Sequence, residues 1–464
     1  MVEIEESVVQ RVLNAALRTG GDFAELFVED RRSSSARLDD GRVEELTSGR
    51  DRGAGIRVVR GETTGFAHTS DLTEEGLRAA AEAAGAAARG GGEGVKEVAI
   101  TRRAPERPSD VQILPEDVPK RAKVELLLRA EDAARSVDGS IRQVAVTYGD
   151  GRRRILLANS DGLLAGDDQV RTRLGVSCVA AEGDVLQTGY QTAGGTVGFE
   201  IYESIEVEDV ARVAARRAVD LLKARPAPSG QVPVVLRRGA GGVLFHEACG
   251  HGLEADLVSK DASVFRGRVG ERVASPLVTL VDDGTYAREW GTYGVDDEGH
   301  PAQRNTLIQD GELTDYMWDL LRARKEHRDS SGNGRRQSYQ HLPMVRMTNT
   351  YVLAGTEDPE EIIRQTPYGV YCVQLGGGQV DTATGDFVFG MTEAYLIENG
   401  QITAPLRAAN LIGNGPDVLR SIDAMGNDFD TWAGMCGKDG QGVPVSSGQP
   451  TLRVTSMTVG GTGR

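Results

Sequence analysis

The sequence predicts an α+β protein of two domains, and three observations lead there. Its 464 residues exceed what one ordinary hydrophobic core organises. Helical and strand-like patterns are both present but do not alternate regularly, which argues against a doubly wound sheet. The texture also changes at "RPAPSGQVPVVL", where three prolines, Ser229 and Gly230 precede a short apolar run. We therefore expect a mixed α/β N-terminal domain over residues 1–226, suited to substrate enclosure or dimerisation. A strand-rich C-terminal domain is expected over 227–464.

Along the N-terminal half, "ESVVQRVLNAALRT" has helical periodicity and stops at Gly20-Gly21. Short strand-like runs follow in "AELFVEDRR", "SSSARLDDGRVEEL" and "GAGIRVVRGETTGFAHTS". "TEEGLRAAAEAAGAAARG" then reads as a helix opened by Thr73. Residues 90–118 carry prolines and charge clusters with little periodicity, and read as a long linking excursion. "KRAKVELLLRAEDAARSV" resumes helix, strands run through residues 142–195, and "VEDVARVAARRAVDLLKA" closes the half. Strands ending in an alanine-rich helix thus occur twice, near 24–89 and 142–224, a hint of internal duplication. Beyond residue 230, strands dominate apart from the helix that carries residues 246–256 and one near 315–327. "QDGELTDYMW" and "AYLIENGQITAP" carry DG and NG hairpin turns.

Composition narrows the function. Hydrophobic residues are 39% and charged residues 26%, the balance of a globular protein. No run of about 18 apolar residues is present, so no membrane span is expected. The acidic start "MVEIEESVVQ" lacks the basic-then-apolar order of a signal peptide, which predicts a cytoplasmic protein. The four cysteines have no disulfide or CxxC spacing, so each is expected as a thiol. A net charge of −16 opposes direct nucleic-acid or anionic-membrane contact. The acidic clusters at 39–45 and 296–298 read as solvated faces.

"HEACGHGLEAD", residues 246–256, carries the chemistry. Two histidines and a glutamate are the parts a catalytic zinc needs: imidazoles as ligands, and a carboxylate that takes a proton from water. His246 and His251 are five apart rather than four. In a regular helix that offset turns their side chains about 140° away from each other. A π-bulge absorbs one residue and restores convergence, and Gly250 would lower its steric cost. A third ligand is usual. On residue type alone it remains open between the nearby Cys249, Glu254 and Asp256 and the distant Cys436, His300 and His341. Cys249 lies between the histidines and would face away from them, as a small buried hydrophobe.

"GAGGVLFHEACGHGLEAD" resembles the HExxxH segment of the TldD/PmbA family of metallopeptidases, in its TldD branch. "SYQHLPMVRMTNTYVLAGT", "LGGGQVDTATGDFVFGMTEAYLIENGQI" and "MCGKDGQGVPVSSGQPTLRV" match in kind and order. The resemblance implies Zn2+ held by His246, His251 and Cys436, with Glu247 as general base. It implies hydrolysis of unfolded or extended peptides, including peptide precursors, and a dimer with a PmbA/TldE-like subunit or with itself. The competing expectation is a non-catalytic peptide-binding or regulatory protein, of the gyrase-modulator kind.

Two further stretches are candidate substrate contacts. "LGGGQVD" lacks a GKS/T ending and precedes a strand, so it is not a phosphate loop. Gly376, Gly377 and Gly378 instead suit a peptide backbone laid along a sheet edge. "HLPMVRMTN" offers His341, Arg346 and Asn349 to orient a substrate, although a structural role suits His341 as well. His300, in a polar loop, is expected at the surface.

Overall fold

A computed structural model describes residues 4–88, 100–106, 108–239, 242–407 and 409–460. Part of the expected 90–118 excursion, and the Ala240-Gly241 step before the motif helix, lie outside these residues.

The N-terminal half repeats one order, helix, three strands, helix. The first copy is Glu6–Leu17, Phe23–Asp39, Arg42–Arg60, Thr63–Thr69 and Glu74–Ala87. The second is Lys120–Arg135, Ile141–Asn159, Leu163–Glu182, Val185–Gly195 and Val207–Leu222. The copies join where Phe23–Asp39 runs antiparallel to Ile141–Asn159, from Glu25↔Asn159 to Asp39↔Ala145. One sheet therefore spans both copies, and each helix pair covers one end of it.

The first helix shows why. Val9, Val12, Leu13 and Ala16 recur at i, i+3, i+4 and i+7, forming one buried stripe. Burying a valine or leucine side chain in such a stripe contributes about 1.5–3 kcal/mol. Thr73 opens the second helix by accepting a hydrogen bond from the Gly76 amide at 3.2 Å.

The strands are longer than the short runs their apolar alternation marks. Phe23–Asp39 has 17 residues and Arg42–Arg60 has 19. Residues 42–52 are exposed throughout, so backbone pairing continues where no apolar face announces it. Asp40 and Gly41 take the positive φ values, 51° and 80°, that a tight turn between these strands requires.

The opposite face of the sheet packs on the C-terminal half. Phe27, Ile155, Leu157 and Ala165 meet Val295 and Tyr339. Here the expected solvated cluster at 296–298 is in fact interior: Asp296, Asp297 and Glu298 are all buried. Each is offset by specific partners. Arg57 donates to both Glu25 and Glu298 at 2.7 Å, Asp297 accepts from Arg153 at 2.8 Å, and Asp296 accepts from backbone amides of Glu298, His300 and Gly334. Buried charges persist only when paired in this way, and the Arg57–Glu298 and Arg153–Asp297 pairs tie residues more than 100 positions apart. His300, expected at the surface, is half-buried beside them.

In the C-terminal half, Tyr368–Val380, Gly230–Leu236, Leu452–Gly460, Ala409–Asn414 and Asp386–Glu398 pair in that order. Tyr368–Val380 also pairs with Asp386–Glu398, which closes the five strands into a barrel. A second sheet contains Leu280–Asp283, Asn349–Val352, Gln441–Gln449 and Asp430–Lys438. The expected hairpins are present, with positive φ at Asp310-Gly311 and Asn399-Gly400. The helix expected near 315–327 is shorter, Leu320–Lys325, and is capped by Asp319. No helix among the described residues is long and apolar enough to cross a membrane.

Candidate metal centre

The motif segment lies between the two C-terminal sheets. Strand Gly230–Leu236 leads into helical residues Gly242–Phe245, then a π-helical turn, His246–Gly250, and a final 3-10 turn, His251–Leu253. The His251 amide bonds the His246 carbonyl, an i→i+5 closure that takes up the extra residue. The imidazoles consequently converge, with ring centroids 5.2 Å apart and planes at 83°. Gly250 has ordinary right-handed helical angles, φ −56° and ψ −50°. Its glycine is required for a different reason from the one the sequence suggests: a Cβ there would lie 2.1 Å from Met347 Sδ.

Cys436 arrives from strand Asp430–Lys438, 185 residues downstream of His251, and places Sγ 3.4 Å from His251 Nε2. One donor atom each from His246, His251 and Cys436 lies within 4.8 Å of the others, and all three residues are buried. Neither ring nitrogen of His246 has a hydrogen-bond partner among the described residues. A buried imidazole left without partners is costly, and a metal ion is the partner this pocket suits. Burial raises the Cys436 thiol, but the facing His246 and His251 imidazoles more than offset that and hold it well below its usual range. The cluster therefore favours thiolate, the form that binds zinc. Two imidazoles and one thiolate are three protein ligands, the number usual in catalytic zinc sites, whereas closed structural sites use four.

Glu247 supplies the open side. Its Oε2 lies 3.7 Å from His251 Nε2, and its side chain is 28% exposed, against 9% for His251.

Support comes from residues that the motif alone does not identify. His251 Nδ1 faces Glu254 Oε2 at 2.9 Å, so Nε2 is the nitrogen turned toward Cys436. Lys438 Nζ donates to Glu254 at 2.9 Å, to Asp256 at 2.7 Å and to the Val345 carbonyl at 3.1 Å. Burial raises the Glu254 carboxyl, but His251 and Lys438 together bring it down to about 2. The signal for Lys438 was present in the sequence: it stands two residues after Cys436, on the same strand face.

The other sequence candidates divide. Arg346 is fully buried and donates to the carbonyls of Cys436 and Gln441. Asn349 is equally buried, donating to the Asp283 carbonyl and Thr292 Oγ1 and accepting from the Gly291 amide. These bonds hold both in the frame of the site, and Arg346 Nε is left without a hydrogen-bond partner among the described residues. His341 is half-buried against Ser338 Oγ at 2.9 Å. Cys249 faces the apolar core, where burial pushes its thiol up.

Gly376, Gly377 and Gly378 are on strand Tyr368–Val380, which packs against the π turn. Parallel pairing with Gly230–Leu236 ends at Cys372↔Leu236. From Gln374 onward the only pairing among the described residues is with Asp386–Glu398. That ladder slips between Leu375 and Gly378, so Gly376 and Gly377 form a bulge. Gly377 has open space where a Cβ would stand, whereas Gly378 would strike the Phe389 ring at 2.0 Å.

Comparison with known proteins decides the family. Residues 229–461 match the PmbA/TldA metallopeptidase C-terminal domain, 113–222 its central domain and 24–88 its domain 1. The chain belongs to the PmbA/TldD metallopeptidase family. A metalloprotease TldD homolog of Haemophilus influenzae is 41% identical, covering 95% of this chain and 93% of its own. A metalloprotease of Methanothermobacter thermautotrophicus is 38% identical, covering 95% and 96%. A zinc metalloprotease TldD homolog of Saccharolobus solfataricus is 27% identical, covering 97% and 99%. In fold, TldE of Thermococcus kodakarensis superposes with a TM-score of 0.79 at 19% identity, over 98% of this chain and 100% of its own. As a member of the PmbA/TldD family, this chain is a metallopeptidase.

Proposed function

We propose that the protein is a zinc-dependent peptidase in which His246, His251 and Cys436 hold the metal and Glu247 is the general base. The convergence of three buried donors, with both His246 nitrogens otherwise unpartnered among the described residues, carries this reading. Zinc in such a site supplies Lewis acidity toward a peptide carbonyl and lowers the pKa of water from 15.7 to about 7. Glu247 Oε2 accepts the proton of the attacking water and returns it to the leaving amine nitrogen. Glu254 fixes the His251 tautomer, and Lys438 holds Glu254 in place.

The substrate is an unfolded or extended peptide, including precursor peptides, lying along the Gly376–Gly378 edge. Reading through backbone hydrogen bonds gives broad sequence tolerance, and the bulge in the strand that packs against the π turn favours this position. We place the domain division at 226/227, with the N-terminal half enclosing the substrate or forming a dimer. The partner is a TldE-like subunit or a second copy, the setting is the cytoplasm, and neither nucleic acid nor membrane is contacted directly.

A Glu247→Gln protein tests the chemistry. It should bind zinc as the parent does and lose peptide cleavage. Retained cleavage with retained zinc would remove Glu247 from the mechanism.

A further inference from the structure

A cavity of about 590 Å³ lies where the N-terminal sheet meets the hairpin of Asp430–Lys438 and Gln441–Gln449. Its size is that of a ligand pocket. Arginines dominate its walls, which is unexpected in a chain of net charge −16.

The arginines are of two kinds. Arg152, Arg153 and Arg336 are engaged with carboxylates: Asp168 and Glu116, Glu29 and Asp297, and Glu25 respectively. Arg31, Arg171, Arg173 and Arg335 have no carboxylate in ion-pair reach among the described residues. Arg171, nine-tenths buried, donates to the Trp290 and Thr292 carbonyls at 2.8 Å and to Gln169 Oε1 at 3.0 Å. Arg335, also buried, donates to the carbonyls of Met347 and Pro444. Arg173 donates to Thr192 Oγ1 at 2.8 Å and lies over the Trp290 ring. The exposed side chain of Arg31 makes no hydrogen bond or ion pair among the described residues. The two carboxylates in the wall are already occupied, Asp150 by Lys123 and Ser34, and Asp297 by Arg153 and the Arg336 amide.

Neutral acceptors take the hydrogen bonds of Arg171, Arg173 and Arg335, while Asp167, Asp282 and Asp297 act on Arg171 or Arg335 only through charge beyond ion-pair distance. Burial, with the like charges of Arg335 and Arg153, holds Arg171 below its ordinary range. Guanidinium forks of this kind match carboxylates in planar, two-pronged geometry. The cavity also adjoins the metal cluster through one strand. Met435 lines the cavity and its neighbour Cys436 belongs to the cluster, as expected when alternate residues of a strand face opposite sides.

We propose that this cavity is an anchoring subsite for the carboxylates of an acidic peptide. The inference rests on the peptidase reading and narrows its substrate class to peptides bearing a glutamate- or aspartate-rich end. A backbone-reading edge is tolerant of sequence, so a charged anchor elsewhere along the peptide supplies the selectivity the edge lacks.

The test is equilibrium binding by fluorescence anisotropy to the full-length, zinc-loaded Glu247→Gln protein, which prevents turnover. Two labelled ten-residue glycine–serine probes are compared. One ends in two glutamates with a free carboxyl, and the other in two glutamines with an amide. The acidic probe should bind at least about tenfold more tightly at low salt, as charged hydrogen bonds of this kind provide. In a further Arg31→Gln/Arg173→Gln background the preference should fall to about twofold or less, with neutral-probe affinity unchanged. Equal affinity for the two probes, or a preference that survives the double substitution, overturns the proposal. Displacement of the acidic probe by inorganic phosphate as readily as by unlabelled acidic peptide also overturns it, in favour of a small-anion site. Cleavage of the neutral peptide by the zinc-loaded parent is read separately. Cleavage without acidic preference removes this inference alone, whereas preference without cleavage removes the peptidase reading.

Discussion

Lys438 and His251 grip the same carboxylate oxygen: Glu254 Oε2 lies 2.9 Å from Lys438 Nζ and 2.9 Å from His251 Nδ1. The lysine follows Cys436 by two residues, so the strand that brings the sulfur also brings the cation that fixes the opposing imidazole. The donor set is thereby oriented from both sides by one short segment.

Lys438→Met should weaken zinc binding by about 10–100-fold, the usual cost of losing an outer partner of a ligand. It also leaves Glu254 and Asp256 without their buried cation, at a cost of about 3–5 kcal/mol. Chelator competition for zinc and denaturant unfolding measure the two effects. Unchanged zinc affinity would show that the lysine serves stability alone.

Gly250→Ala should destabilise the protein by about 1–3 kcal/mol, the range for overpacking, because its methyl group meets Met347 Sδ. Met347→Ala in the same chain should recover part of that loss. A thermal-unfolding cycle of the two single variants and the double variant measures the coupling. Additive effects would separate Gly250 from Met347.

The pH dependence of stability has a specific source in Asp319. Burial, then the neighbouring Glu298, push its carboxyl up to about 7, against the pull of the Arg322 amide, Arg57 and the Arg322 charge. The unfolded value is about 3.9, so the native state holds the extra proton between the two. Its contribution to stability then falls as pH rises from about 4 to about 7, and levels off beyond. Asp319→Asn keeps a cap for the Arg322 amide and should flatten that slope, becoming more favourable relative to the parent at pH 8 than at pH 4. Unfolding midpoints across that range check the sign.

Gly377→Val should leave folding intact, since open space surrounds its Cβ position, yet hinder a peptide on the adjacent edge. KM should rise by about tenfold or more, while zinc content and the unfolding midpoint stay near the parent's. Steady-state kinetics on an extended peptide measure it. Unchanged KM would move the substrate path elsewhere.

Much of the centre was legible because its chemistry is local. His246, Glu247 and His251 are one motif, and their spacing required the π turn that His246–Gly250 forms. The frame around it was not legible. Arg346 and Asn349 carry polar side chains that suggest substrate contact, but pairing with the main chain of distant segments leaves them buried. Asp296, Asp297 and Glu298 read as a solvated cluster for the same reason. Their counter-charges, Arg57 and Arg153, lie far away in sequence, and only the fold brings them together. Strand length was also hidden, because residues 42–52 pair through backbone with no apolar face.

The most direct test of the centre is zinc K-edge X-ray absorption on the full-length zinc-loaded protein. The account predicts one sulfur at about 2.3 Å and two imidazole nitrogens at about 2.0–2.1 Å, with the sulfur shell absent in Cys436→Ser. A shell of oxygen and nitrogen alone in the parent, or a sulfur that persists in Cys436→Ser, would contradict it.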